Sequence, residues 1–152
     1  MIWRRFLAAL CAISGLTLAT PPALLARADA DGDVAPTPRR FTRVPAPKGV
    51  QIRRFQKTDG RMPAKGDRVT VHYHGTLQNG KVFDSSRARG HPASFRLGDV
   101  IPCWQIALTR LRIGETAEIV CPPEVAYGAK GSPPAIPGNA RLTFEVELLG
   151  IQ

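Results

Sequence analysis

The sequence of 152 residues has few of the side chains that usually hold a metal ion, with three cysteines and three histidines. The histidines are His72, His74 and His91, and their spacing relative to the cysteines matches no zinc-binding pattern. We therefore expect a protein without a bound metal and without any other cofactor.

The sequence also lacks an apolar run long enough to cross a membrane. Residues 6–19 are uncharged, but a spanning helix needs ~20 apolar residues. Two arginines precede this run, two prolines follow it, and Ala-Asp-Ala at residues 28–30 matches a small-x-small cleavage site. This pattern predicts a signal peptide at residues 1–30 and an exported protein, periplasmic or secreted, with no membrane span after cleavage. A single membrane anchor is the less favoured alternative.

Acidic residues are fewer than basic ones, 12 against 21, which gives a formal net charge of +9. Residues 31–49 contain several prolines and basic residues and few apolar ones, a composition that predicts an extended, mobile linker. No nucleic-acid-binding motif accompanies the charge, so we expect a basic soluble surface and no nucleic-acid partner. The alternative is a surface interaction protein whose linker binds polyanions.

From residue 50 onward the pattern is that of an antiparallel sheet. Residues 68–74 alternate strictly between apolar and polar side chains, and Asn79-Gly80 is a strong hairpin signal. Further strands are predicted at residues 82–86, 94–97, 116–121 and 141–148. Residues 102–112 form the only plausible helix, with Gly114 closing it. We predict an α+β domain at residues 50–152, with a twisted antiparallel sheet of about five strands wrapped around one short helix.

Two cysteines, Cys103 and Cys121, remain after the predicted cleavage. An even number of cysteines in an exported protein permits a disulfide, and the turn between the helix and the next strand could bring these two together. Two buried free thiols are the alternative.

One acid and several large aromatic residues have no candidate nucleophile beside them. Asp84 follows Phe83, and Trp104, Tyr127 and Phe144 lie in later segments. Taken alone, Trp104 and Phe144 would usually belong to the core, Tyr127 could be a turn residue, and Asp84 could be a helix or turn cap. Together they indicate a hydrophobic pocket with a few polar groups.

Five segments resemble, in order and in spacing, those of the FK506-binding-protein (FKBP) family. They are Val71-His72-Tyr73-His74-Gly75, Phe83-Asp84-Ser85-Ser86, Val100-Ile101-Pro102, Ala126-Tyr127-Gly128 and Phe144-Glu145-Val146-Glu147-Leu148-Leu149. The resemblance covers about residues 49–151. This segment is similar to the catalytic domain of bacterial macrophage-infectivity-potentiator-type members. It implies a peptidyl-prolyl cis-trans isomerase that acts on proline-containing polypeptides during the folding of exported proteins. Macrolides of the FK506 type are candidate ligands, and the absence of a long dimerisation helix favours a monomer.

The resemblance also implies the site residues. The catalytic set is Tyr73, Phe83, Asp84 and Tyr127, and the substrate-binding set is Val100, Ile101, Trp104, Ala126, Ile136, Phe144 and Arg89. Trp104 would form the floor of the pocket, and Arg89 would be the partner of Asp84. Ala93 and Ser132 replace a phenylalanine and a histidine that many members carry. These departures support an alternative, an FKBP-like binding module or holding chaperone with little isomerase activity.

Overall fold

The structure is a computed structural model that describes residues 39–152. The predicted signal peptide and residues 31–38 of the predicted linker lie outside the described residues. Within residues 39–152, no helix is both long enough and apolar enough to cross a membrane.

The domain is built on one antiparallel sheet of seven strands. The strands are β1 (Thr42–Val44), β2 (Gln51–Arg54), β3 (Arg68–Leu77), β4 (Val82–Ser85), β5 (Ala93–Arg96), β6 (Thr116–Cys121) and β7 (Leu142–Ile151). Their order across the sheet is β1-β2-β6-β7-β3-β4, and β5 also pairs with β3. The α+β class and the antiparallel sheet are confirmed, and the sheet has more strands than the five predicted.

The long strand β3 confirms the alternation read from the sequence. Val69, Val71 and Tyr73 are buried, whereas the residues between them are exposed or half-buried. β3 pairs with β7 along nearly its whole length and with β4 and β5 on its other side. One face of the sheet is thus buried, and it is this face that carries the aromatic side chains described below.

Residues 39–152 contain one α-helix, α1 (Pro102–Leu108), and its buried face contributes to this core. Proline at its first position suits the start of a helix, because the missing N–H would have no partner there. The prediction that the helix reaches residue 112 is wrong. The N–H groups of Arg110 and Leu111 donate to the carbonyls of Ala107 and Leu108, and such three-residue spacing tightens and ends an α-helix.

The predicted mobile linker is wrong for residues 42–44, which form β1. This strand pairs with β2, with Thr42 opposite Arg54 and Val44 opposite Ile52. The guanidinium group of Arg53 also lies 5.3 Å from the centre of the Phe41 ring, a cation–π distance. The sequence pattern did not predict this strand, because its three residues are mostly exposed and show no apolar alternation.

The disulfide between Cys103 and Cys121 is confirmed, with the two Cα atoms 5.7 Å apart. It joins the start of α1 to the end of β6, and both residues are fully buried. A second link is the buried carboxylate of Glu115, which lies 3.0 Å from Nε of Arg54 and accepts a hydrogen bond from the Arg112 N–H. The disulfide closes the segment between α1 and β6, and the Glu115 carboxylate attaches the same segment to Arg54 of β2.

Candidate active site

A cavity of about 340 Å³ opens between the sheet and the start of α1. Its walls are mostly aromatic and aliphatic. The lining residues are Tyr73, Phe83, Asp84, Phe95, Asp99, Val100, Ile101, Trp104, Tyr127 and Phe144. They come from β3, β4, β5, β7, α1 and the loops before and after, so that only the tertiary fold brings them together.

The indole of Trp104 is held by three rings that meet it nearly at right angles. The ring centre of Tyr73 is 5.3 Å away at 82°, that of Phe144 is 5.3 Å away at 80°, and that of Phe95 is 5.7 Å away at 87°. Edge-to-face contact is a favoured geometry for aromatic pairs. Trp104 is only 4% exposed, so its orientation is fixed before any ligand arrives.

Gly75 on β3 allows two of the pocket aromatics to approach the backbone closely. A Cβ atom at this position would lie 2.6 Å from Cζ of Phe83 and 3.1 Å from Cε1 of Phe144. The rings of Phe83 and Phe144 are in turn 5.5 Å apart and nearly perpendicular. A side chain at residue 75 would therefore displace a wall of the cavity.

One edge of the cavity carries a polar network of three residues. The hydroxyl of Tyr73 donates to Oδ2 of Asp84 at 2.5 Å, and Nη2 of Arg89 donates to the same hydroxyl at 2.8 Å. Nη1 of Arg89 donates to Oδ1 of Asp84. Both carboxylate oxygens are thus occupied, and the guanidinium group balances the charge of the acid.

The network determines the protonation of its members. Burial by itself would raise the pKa of Asp84, but the hydrogen bonds from Tyr73 and Arg89 outweigh it and lower the pKa below its ordinary value. Burial and the hydrogen bond to Asp84 raise the pKa of Tyr73. At neutral pH the site therefore contains a charged carboxylate and a protonated phenol.

The structure brings most of the predicted site residues to this one cavity. Those that line it are Tyr73, Phe83, Asp84, Val100, Ile101, Trp104, Tyr127 and Phe144. Arg89 does not line the cavity itself, but it is bound to the lining residue Asp84 at the edge of the cavity. Ala126 and Ile136 do not line the cavity: Ala126 is half-buried beside Tyr127, and Ile136 is a buried core residue whose backbone pairs with Ser132.

Two lining residues, Phe95 and Asp99, were not in the predicted site. The pairing of Val69 with Phe95 places Phe95 on the buried face, and its strand was predicted correctly. The alternation of β5 was thus a usable signal. Asp99 ends the short 3₁₀ turn Leu97–Asp99 next to Val100, and no periodic sequence pattern marks it.

The lining contains no serine, cysteine, histidine or lysine, and its carboxylates are Asp84 and Asp99. Within residues 39–152, no group of three His, Cys, Asp or Glu side chains is arranged to hold a metal ion. The site is suited to burying an apolar group against aromatic rings while a few polar atoms orient its neighbours.

Comparison with known proteins agrees with this geometry. The sequence profile described as FKBP-type peptidyl-prolyl cis-trans isomerase matches residues 59–149. "FK506-binding protein 1" of Rhizopus delemar is 50% identical over 106 residues, which are 68% of this chain and 98% of the relative. "FKBP-type 22 kDa peptidyl-prolyl cis-trans isomerase" of Escherichia coli is 50% identical over 103 residues, 68% of this chain and 50% of the relative.

Among solved structures, the crystal structure of FkpA from Escherichia coli superposes with a TM-score of 0.66 at 44% identity, covering 68% of this chain and 48% of that one. The chain belongs to the FKBP-type peptidyl-prolyl cis-trans isomerase family. Its identity to the fungal and the bacterial relative is the same, 50%.

Proposed function

We propose that this protein accelerates the cis-trans rotation of peptide bonds that precede proline, without a covalent intermediate. Membership of the isomerase family supports this activity. The observation that carries it is the preformed aromatic cavity, which is lined by the indole of Trp104 and has a charge-balanced Asp84 at its edge. The cavity size suits a proline ring and its neighbours.

The reaction requires only a modest lowering of its activation barrier by the protein. Amide resonance keeps the peptide bond planar, and rotation of an X-Pro bond meets a barrier of ~20 kcal/mol, so that it takes tens of seconds or more. Water stabilises the charge-separated planar form more than the twisted form. An apolar pocket removes that advantage, and a shape that fits the twisted amide binds the transition state preferentially. A thousandfold acceleration needs only ~4 kcal/mol.

The apolar residues would receive the proline ring. We assign the floor to Trp104, whose indole is held on several sides by other rings. Phe144, Val100 and Ile101 complete the proline subsite, and Phe83 forms a wall beside it. Trp104 and Phe144 are buried, and the half-buried Val100, Ile101 and Phe83 pack against the same core. This packing fixes the shape of the subsite in advance, which reduces the entropy lost when a substrate binds.

The polar residues would orient the peptide. Tyr127 is 39% exposed and lines the cavity, and we assign it the donation of a hydrogen bond to a substrate carbonyl. We assign to Asp84 the role of orienting the hydroxyl and ring of Tyr73, to which it is hydrogen-bonded. The guanidinium group of Arg89 on Oδ1 limits the repulsion that the carboxylate would exert on a substrate carbonyl oxygen.

We propose that the protein acts in an oxidising compartment outside the cytoplasm, on newly exported proline-containing polypeptides. The signal pattern of residues 1–30 and the Cys103–Cys121 disulfide support this location, because disulfides persist mainly in such compartments. We further propose a monomer that also binds FK506-type macrolides in the same cavity, since the Rhizopus relative is named for FK506 binding.

The alternative of a binding module with little isomerase activity was suggested by Ala93 and Ser132. Neither residue lines the cavity, which favours the enzyme. One experiment separates the two functions: the protein is titrated with a Phe-Pro peptide, and affinity and cis-trans relaxation are measured on the same samples. Faster relaxation supports the isomerase. Binding at micromolar affinity with the uncatalysed relaxation rate would identify a binding module instead.

A further inference from the structure

Most carboxylates of the described residues are neutralised by an arginine. Six ion pairs of this kind occur within residues 39–152. Asp59, Asp99 and Glu124 form none in that part of the chain. Of these three acids, only Asp99 lies in the lining of the cavity.

The position of Asp99 is well defined although its side chain is exposed. It ends a short 3₁₀ turn, Leu97–Asp99, just before the pocket residue Val100. The side-chain amide of Gln105 donates to the carbonyl of Gly98 at 3.5 Å and to that of Val100 at 2.8 Å. The backbone is therefore held on both sides of Asp99, which keeps this residue at the rim of the cavity.

The charge at the rim differs in sign from that of the protein as a whole. The formal net charge of the chain is +9. The other charged groups at the cavity, Asp84 and Arg89, form an ion pair and nearly cancel. Among the charged groups of residues 39–152 at the cavity, Asp99 is the one without an ion-pair partner. It lies beside an apolar surface, where the low dielectric on one side strengthens its field.

We infer that Asp99 determines substrate specificity by favouring X-Pro segments that carry a lysine or arginine close to the proline. Segments with an acidic residue in the same place are disfavoured. This inference rests on the proposed isomerase function, because it assigns the substrate class of that same cavity. It also gives a reason for an unpaired acid to lie at this point of a basic protein.

The test uses the full chain and a peptide series built around Leu-Pro. A neutral parent is compared with peptides in which lysine or glutamate is placed in turn at the two positions before and the two positions after the Leu-Pro pair. We measure kcat/KM by cis-trans relaxation and Kd by calorimetry, at low salt and at high salt. An exposed ion pair changes binding by about two- to fivefold. At the most sensitive position the lysine peptide should therefore exceed the glutamate peptide by about fourfold or more, through KM and Kd rather than kcat.

High salt should bring this ratio close to one, because the Debye length shrinks to a few ångströms near 1 M. Asp99→Asn should also bring the ratio close to one at low salt, and Asp99→Lys should invert it in favour of glutamate. Asp59→Asn is the matched control, since it makes the same change in net charge at an exposed residue away from the cavity. It should leave the ratio as it is.

Two results would overturn the inference. One is a lysine-to-glutamate ratio near one at every position in the unsubstituted protein. The other is a ratio that survives Asp99→Asn or changes equally in Asp59→Asn. Failure of the folded protein to accelerate the neutral parent would instead contradict the proposed function. The Kd values would still show whether Asp99 selects cationic peptides.

Discussion

Substitution of Gly75 by alanine tests the pocket geometry with a single methyl group. The new Cβ would lie 2.6 Å from Cζ of Phe83, 3.0 Å from its Cε2 and 3.1 Å from Cε1 of Phe144. Ordinary contacts between carbon atoms are about 3.5–4.0 Å, so the Phe83 ring must move by about 1 Å. Because β4 pairs only with β3 within the sheet, we expect β4 and Phe83 to shift outward.

The magnitude follows from two opposing terms. Overpacking a well-packed site costs about 1–3 kcal/mol. Replacing glycine by alanine restricts the unfolded chain and returns about 0.4–1 kcal/mol. We therefore expect Gly75→Ala to lower the free energy of unfolding by about 1–2 kcal/mol. Because both displaced rings are pocket walls, we also expect kcat/KM on a Leu-Pro peptide to fall about tenfold, which corresponds to ~1.4 kcal/mol of lost transition-state binding.

The assay combines urea unfolding with cis-trans relaxation, and Gly150→Ala is the control. Gly150 also lies in a long strand, but a Cβ there would meet no atom within 4 Å. It should leave activity unchanged. If Gly75→Ala retained full activity and full peptide affinity, the placement of Phe83 and Phe144 as pocket walls would be refuted.

Further predictions concern the floor, the polar groups, the disulfide and pH. Trp104→Leu should keep the fold, seen by circular dichroism, and reduce both peptide affinity and rate; unchanged affinity would exclude Trp104 as the floor. Tyr127→Phe removes one hydrogen bond, worth ~1 kcal/mol, so relaxation assays should show a several-fold loss, whereas Asp84→Leu should cost more. Reducing the disulfide, which closes a loop with a sequence separation of 18, should lower the free energy of unfolding by about 3 kcal/mol; no change in urea unfolding would contradict that link. The lowered pKa of Asp84 adds stability that is present above its ordinary pKa of 3.8 and is lost as pH falls through the folded value. The raised pKa of Tyr73 adds stability that is present below 10.0 and is lost as pH rises through the folded value. Activity on a neutral peptide should therefore be flat from about pH 5 to 9, and a midpoint inside that range would show that another group controls it.

Strands of the sheet could be predicted from the sequence where one face is buried and the other is exposed to solvent. β3 shows a period of two because Val69, Val71 and Tyr73 all enter the core. The edge strand β1 could not be predicted this way, because its three residues are mostly exposed and carry no such period. The end of α1 was also missed, since three-residue hydrogen bonds after Leu108 leave no mark on apolar spacing.

The pocket residues were predicted through the family resemblance, whereas their contacts required the fold. Neither the closeness of Gly75 to Phe83 nor the approach of Arg89 to the Tyr73 hydroxyl can be read from spacing. Asp99 was not among the predicted site residues, because an acidic residue outside the predicted strands and helix is usually solvated. Glu115 looks equally ordinary in the sequence, yet it is fully buried. The fold brings Arg54 and the N–H groups of Thr58 and Arg112 to its carboxylate.

Catalysis of X-Pro rotation is tested most directly by NMR exchange spectroscopy on a Leu-Pro peptide with a catalytic amount of the protein. We expect exchange cross-peaks between the cis and trans forms within seconds, where the free peptide takes tens of seconds or more. The cross-peaks should be strongly reduced when an equal amount of folded Trp104→Leu protein is used. Exchange at the free-peptide rate in the presence of the folded protein would contradict the central claim.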